Sequence, residues 1–153
     1  MSKRRIFITG IAGFIGFHLA CFLRKSGDYV IGCDNFNSYY SPDLKKRRAK
    51  HLDELGIDVL SCDIQNISSL HSLFNETKFT HLVHLAAQAG VRYSITHPHT
   101  YAESNINGFL HVLGICRAFP IKLIFASSSS VYGNNKKIPF REEDPTEQPI
   151  SLY

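Results

Sequence analysis

Three glycines, Gly10, Gly13 and Gly16, stand at three-residue intervals in TGIAGFIG, directly after a short apolar run. Glycine lets the chain turn sharply and bring its backbone close to a pyrophosphate, whose charge then rests on N–H groups at the start of the next helix. Such a turn can also be purely structural, so the pattern takes its meaning from its setting, with a strand before it and a helix after it. Phe14 and Ile15 lie inside it. Eighteen residues beyond Gly16 comes Asp34, followed by Asn35. A carboxylate there accepts hydrogen bonds from adenosine ribose hydroxyls and repels a 2′-phosphate, which favours NAD over NADP. The alternative is an aspartate that caps the turn at Asn35. Another acid, Asp63, precedes Ile64, a pair suited to hold adenine by one hydrogen bond and one apolar contact.

These residues need strands that end beside one another. Five apolar runs recur, at 5–9, 29–33, 57–62, 81–86 and 122–127, each nearly continuous, as parallel strands buried on both faces should be. Helical patterns lie between them. In 14–27, Ile15, Leu19, Phe22 and Leu23 share a face, and Gly27 closes the helix. The segment 41–56 opens on Ser-Pro and ends on Gly, and further helices are expected near 67–76 and 98–118. The alternation predicts an α/β fold, a doubly wound parallel sheet with right-handed crossovers. Residues 133–150, with three prolines and many polar residues, read as a long loop of the kind that belongs to active sites.

Composition narrows the function classes. A chain of 153 residues, 44% hydrophobic and 20% charged, fits one globular domain. No apolar stretch reaches the length of a membrane span or signal segment, so a cytoplasmic location is expected, with no membrane partner. The net charge of +4 comes from short runs such as Lys45–Arg48 and Lys136–Lys137, which read as solvated faces and not as a nucleic-acid platform. Cys21, Cys33, Cys62 and Cys116 are scattered and read as reduced, buried thiols. His81 and His84, three apart on a strand, would point to opposite faces, and proline separates His97 from His99, so no metal site is expected.

The segments TGIAGFIG, CDNFN, HLAAQAGVRYS, SNINGF and FASSSSVYG, in this order, resemble the extended short-chain dehydrogenase/reductase family of nucleotide-sugar epimerases and dehydratases. The likeness covers nearly the whole chain, and DNFNSYYSPDLKKRR, AGVRYS and SSSSVYG are most similar to its UDP-glucuronate 4-epimerases. The resemblance implies a Rossmann-like sheet, NAD as cofactor, a UDP-sugar as substrate, and oxidation at the sugar C4 followed by re-reduction from the other face. It places Leu85, Ala86, Ala87 and Gln88 beside the cofactor with Asn105 bracing them, and Arg92, Ser129 and Ser130 at the substrate. Ser128 matches the residue that hydrogen-bonds the reacting oxygen, although the serine run also reads as a plain polar strand exit. Arg92, on a loop, has the alternative of simple solvation.

Tyr153 follows Tyr132 by 21 residues, where the resemblance puts the catalytic tyrosine of a Tyr-x-x-x-Lys motif. The related 4,6-dehydratases carry an Asp-Glu pair where this chain has Ser129 and Ser130, so epimerisation is expected over elimination. Relatives run to about twice this length, and the motif lysine would lie beyond Tyr153. Without a nearby cation, a phenol of pKa about 10 is ionised in about one molecule per thousand at neutral pH. The expectation is therefore an NAD-binding domain over 1–153, truncated before the last strands and the C-terminal substrate domain, inactive alone and weak towards UDP-sugar. A homodimer is a feature of the full-length reading. The alternatives are an epimerase for another UDP-hexose, or a non-catalytic NAD-binding or partner-binding module.

Overall fold

The computed structural model describes residues 3–153. Its centre is a five-stranded sheet in which every neighbouring pair runs parallel. The strands are β1 (Arg5–Thr9), β2 (Tyr29–Asp34), β3 (Asp58–Ser61), β4 (His81–His84) and β5 (Lys122–Phe125), in the spatial order β3-β2-β1-β4-β5. Parallel strands need crossovers, and these are supplied by α1 (Phe14–Lys25), α2 (Pro42–Glu54), a 3-10 turn at Ile64–Leu70 leading into α3 (His71–Thr77), and a composite helical segment before β5. That segment runs α4 (Val91–Thr96), α5 (Pro98–Tyr101), a π-helical stretch Ala102–Asn107, and α6 (Gly108–Ala118).

The near-continuous apolar runs are explained by burial on both sides. Along β1, Ile6 and Ile8 pack with Ala20, Leu23 and Leu52 under α1 and α2, while Phe7 packs with Ile67, Phe74, Val112 and Ile115 on the opposite face. Alternate residues of one strand thus feed two cores, each fully buried side chain contributing about 1.5–3 kcal/mol of transfer free energy. Phe7, Phe74 and Phe79 meet at centroid distances of 4.9–5.4 Å and anchor the second core.

Helix punctuation follows the residue types. Gly27 and Gly56, at φ +88° and +70°, take the left-handed turns that end α1 and α2. Pro42 begins α2, where its missing N–H costs nothing. One expectation needed correction. The helix anticipated at 67–76 is a 3-10 turn followed by a short α-helix, with Asp63 capping its start by accepting from the Gln65 N–H at 2.9 Å. The helix anticipated at 98–118 runs over those residues with a π-helical middle at Ala102–Asn107, whereas α4 in front of it was not foreseen.

Beyond β5 the chain forms a 3-10 turn at Ser129–Tyr132 and then a loop folded back on itself. The Asn134 N–H donates to the Gln148 carbonyl at 3.3 Å, Tyr132 stacks on Phe140 at 4.6 Å, and Asp144 gathers the Lys137 ammonium and the Arg141 N–H. No helix among the described residues is long and apolar enough to cross a membrane.

Candidate active site

In the order β3-β2-β1-β4-β5 the direction of winding reverses between β1 and β4, and there the loops leaving the two strands part. The resulting pocket of about 330 Å³ lies at the carboxyl ends of the strands. Gly10, Gly13, Phe14, Ile15 and Gly16 line it after β1, Asp34 and Asn35 after β2, Asp63 and Ile64 after β3, and Leu85, Ala86, Ala87 and Gln88 after β4. A larger cavity of about 530 Å³, between Lys3, Phe74, His81 and Lys122, opens at the other end of the sheet, away from the glycine turn.

The turn after β1 is held by non-local bonds. Gly10 and Ile11 both donate their N–H groups to the Cys33 carbonyl, at 2.8 and 3.2 Å. Gly10 has φ +70°, and a Cβ there would stand 2.8 Å from the Ala86 nitrogen, so the β1 and β4 loops touch through bare backbone. Ile11 is fully buried, and a Cβ on Gly32 would meet its Cδ1 at 2.7 Å. The isoleucine therefore fills space that Gly32 leaves. Helix α1 begins with no side-chain cap and no acid in its first turn, so its N-terminal N–H groups face the pocket without a competing carboxylate.

Beneath the β4 loop, the Thr9 hydroxyl accepts from the Leu85 and Ala86 N–H groups at 3.2 Å each and lies 2.8 Å from His84 Nδ1. Burial lowers the His84 pKa from 6.5 to about 4, so the ring is neutral at physiological pH and its Nδ1 accepts a hydrogen bond from the Thr9 hydroxyl, whose oxygen already accepts two N–H groups. Asn105, from the π stretch, clamps the same loop. Its Oδ1 accepts from the Gln88 N–H at 2.8 Å and its Nδ2 donates to the Gln88 carbonyl at 2.9 Å. With both amide ends engaged, Asn105 positions Gln88 and does not itself line the pocket. Gln88 is buried, and its Nε2 has no hydrogen-bond partner.

Asp34 serves two roles at once. Its Oδ1 accepts from the Phe36 N–H at 2.9 Å, which is the turn-capping alternative, and leaves Oδ2 for a ligand. Oδ1 also lies 3.7 Å from the Lys45 ammonium, which donates to Asn37 at 2.8 Å and sits over the Tyr40 ring. Lys45 is buried and lines the pocket, a correction to the reading of Lys45–Arg48 as a solvated run. The signal was present in the spacing: Lys45 lies seven residues, two helical turns, before the buried Leu52 and shares its face. Asp63 is also busier than expected, accepting from Asn35 Nδ2 at 2.7 Å and from Gln65.

The expected substrate end is looser. Ser128, Ser129, Ser130, Arg92 and Tyr153 do not line the pocket, and Ala126 is the residue through which that segment reaches it. Ser128 Oγ accepts from the Ser130 N–H at 3.1 Å, as a polar strand exit would, and retains its own proton to donate. Arg92 and Ser129 are exposed. Tyr153 stands edge-on to Tyr101 at 5.9 Å, and the single proton of the Tyr101 hydroxyl is shared between the Ala89 carbonyl, at 2.7 Å, and that of Gly90. The last residue of the chain thus abuts the loop that carries Gln88. Tyr101, fully buried, was missed because an aromatic within a helical pattern reads as ordinary core.

Known proteins match this chain over nearly its whole length. The family described as GDP-mannose 4,6 dehydratase matches residues 7–153. UDP-glucuronate 4-epimerase 4 of Arabidopsis thaliana is 49% identical over 150 residues, 97% of this chain and 34% of that protein. Protein CapI of Staphylococcus aureus is 49% identical over 150 residues, again 97% of this chain and 45% of its own length. A mutant of the UDP-glucuronic acid 4-epimerase of Bacillus cereus, in complex with UDP-4-deoxy-4-fluoro-glucuronic acid and NAD, superposes with a TM-score of 0.87 at 32% identity, covering 97% of this chain and 47% of that one. The UDP-glucose 4-epimerase of Thermus thermophilus in complex with NAD gives a TM-score of 0.78 at 31% identity, covering 97% and 46%. The chain spans about a third to a half of the length of the curated relatives it matches.

Proposed function

The chain belongs to the family described as GDP-mannose 4,6 dehydratase, and from that premise we propose that residues 1–153 form the NAD-binding part of a nucleotide-sugar 4-epimerase acting on UDP-glucuronate and UDP-galacturonate. The observation that carries this reading is the pocket itself, where the glycine turn, Asp34, Asp63 and Gln88 converge on one crevice at the switch point.

The residues fit the cofactor. The uncapped start of α1 suits a diphosphate, Asp34 Oδ2 a ribose hydroxyl, and Asp63 with Ile64 an adenine edge. Lys45 adds a buried cation beside Asp34. NAD, when bound, supplies the acceptor that takes hydride from the sugar C4 and returns it. The remaining work belongs to the chain. Tyr153 takes the C4 hydroxyl proton and gives it back, Ser128 donates to the oxygen as its charge develops, and Gln88 orients what lies along the β4 loop. Ser129 and Ser130 offer no carboxylate, so these two positions supply no acid–base pair to remove a C5 proton and expel water. This favours epimerisation over the dehydration named in the family description.

The test is made on the protein translated from the complete reading frame that contains this chain. Incubation with UDP-glucuronate and NAD should yield UDP-galacturonate by proton NMR, and Tyr153→Phe should reduce turnover by at least about a hundredfold. Absence of interconversion in the wild-type protein defeats the reading. Turnover of another UDP-hexose in its place supports the alternative substrate. The 153-residue chain alone should bind NAD without turnover, and turnover would overturn its expected inactivity.

A further inference from the structure

We propose that Cys33 and Cys62 form a peroxide-sensitive thiol pair in the floor of the adenosine half of the pocket, and that their oxidation to a disulfide and occupation of the pocket by NAD exclude one another; the second half rests on the cofactor reading above.

The pair is built by the strand order. Cys33 is the penultimate residue of β2, and Cys62 is the first after β3, its direct neighbour. The Cys62 N–H donates to the Asp34 carbonyl at 3.1 Å, continuing the ladder in which Asp34 faces Ser61. Both side chains pack against the core centred on Phe7 and Phe74, so they leave the sheet on the same face. Both line the pocket, with Cys33 opposite Leu60 in the ladder and Cys62 its diagonal neighbour on that face, and each thiol is the largest influence on the other's ionisation. Neither Cys21 nor Cys116 lines it.

Their environments divide the roles. When protonated, Cys62 Sγ donates to the Asp63 carbonyl at 3.3 Å. The Cys33 thiol and to a lesser degree Ser69 draw the Cys62 pKa down to about 6 against burial and the Asp63 charge. Cys33 is fully buried and keeps its proton, its pKa pushed well above 9.0 chiefly by Cys62 and then by burial. Cys62 is only half-buried and is therefore the thiol a small oxidant reaches.

With hydrogen peroxide or an organic hydroperoxide as oxidant, the Cys62 thiolate attacks one peroxide oxygen. The O–O bond breaks, Cys62 becomes a sulfenic acid, and the departing oxygen leaves as water or alcohol after taking a proton. Cys33 sulfur then attacks Cys62 sulfur, the S–O bond breaks, and hydroxide leaves as water with the Cys33 proton. Two thiols have lost two electrons to one peroxide. The disulfide ties Cys62 to β2 and shifts the adjoining Asp63 and Ile64, while Asp34 adjoins the other sulfur. A bound adenosine would cover Cys62 and shield it.

The 153-residue chain is treated with hydrogen peroxide, with and without saturating NAD, and digested with trypsin under non-reducing conditions. Cleavage after Lys25 and Lys45 and after Lys50 and Lys78 places Cys33 and Cys62 on separate peptides with no other cysteine. The expected result is a linked Cys33–Cys62 peptide whose formation slows about tenfold or more with NAD present. NAD affinity by titration should fall about tenfold after oxidation and return with dithiothreitol. In Cys62→Ser the affinity, whatever its starting value, should be unchanged by peroxide. Peroxide treatment that leaves Cys62 as a sulfinic acid without the linked peptide overturns the pair. Equal oxidation rates with and without bound NAD overturn the exclusion. Reduced chain that binds no NAD in the titration overturns the cofactor reading and the exclusion, and a linked peptide would still establish the pair.

Discussion

β1 and β5 carry apolar runs of the same kind, yet Phe7 and Ile8 in β1 are 0% exposed while Ile124 and Phe125 in β5 are each 55% exposed. The difference lies in neighbours. β1 pairs with β2 and β4 and is covered on both faces, whereas among the described residues β5 pairs with β4 alone. Hydrophobicity predicts a strand, but burial depends on what the fold brings to each side of it. The two halves of the site inherit this contrast. The cofactor end is fixed by backbone contacts between buried strand ends, such as the two N–H groups on the Cys33 carbonyl. The Ser128 end emerges from the exposed strand and leans on a loop.

The hardest test of the contrast is Gly10→Val. It forces a β-branched residue to φ +70° and drives a Cβ to 2.8 Å from backbone, so a loss of more than about 4 kcal/mol is expected, read as failure to fold in a thermal melt. A folded, NAD-binding variant would show that the β1 and β4 loops can part. The strands themselves can be compared by truncation. Ile8→Ala should cost about 4 kcal/mol in urea unfolding, through transfer and cavity terms, and Ile124→Ala less than about 1 kcal/mol. Equal costs would mean that β5 is covered in solution.

A third test uses pH. His84 binds a proton less readily folded than unfolded, at about 4 against 6.5, so the folded state loses stability as pH falls from 6.5 towards 4. The full effect is about 3 kcal/mol, and His84→Gln should flatten the stability profile in that window. A wild-type profile already flat there would mean that water reaches the ring.

The smallest effect belongs to the tail. Asp144 has its pKa lowered, first by the Lys137 side chain and also by the Arg141 N–H, so its contribution is present above the ordinary carboxylate range and is lost as pH falls through it. Asp144→Asn should speed proteolytic cleavage within 134–148 and leave the melting midpoint unchanged. A shifted midpoint would mean that the tail is part of the cooperative core.

Much of the cofactor end was legible because its signals are local. A glycine turn between a strand and a helix, and an acid at the next strand's end, are short-range constraints on backbone angles and charge. All the residues assigned to the cofactor except Asn105 line one pocket. The grip of Asn105 on both sides of Gln88 depends on a π stretch that no spacing announced. The placing of Arg92, Ser129 and Ser130 at a substrate rests on family resemblance alone, because polar loop residues carry no periodicity to say where they point.

The sequence by itself determined the alternation of strands and helices, the turn that can approach a phosphate, and the acids able to meet a ribose and an adenine. Those depend on conformational preferences of adjacent residues. Tertiary structure alone decided that Lys45 turns inward beside Asp34, that Thr9 and His84 support the β4 loop from below, and that Cys33 and Cys62 share one pocket wall. Each of these joins residues eleven or more positions apart. They become neighbours only when β3, β2, β1 and β4 take their places side by side and the helices close over both faces of the sheet.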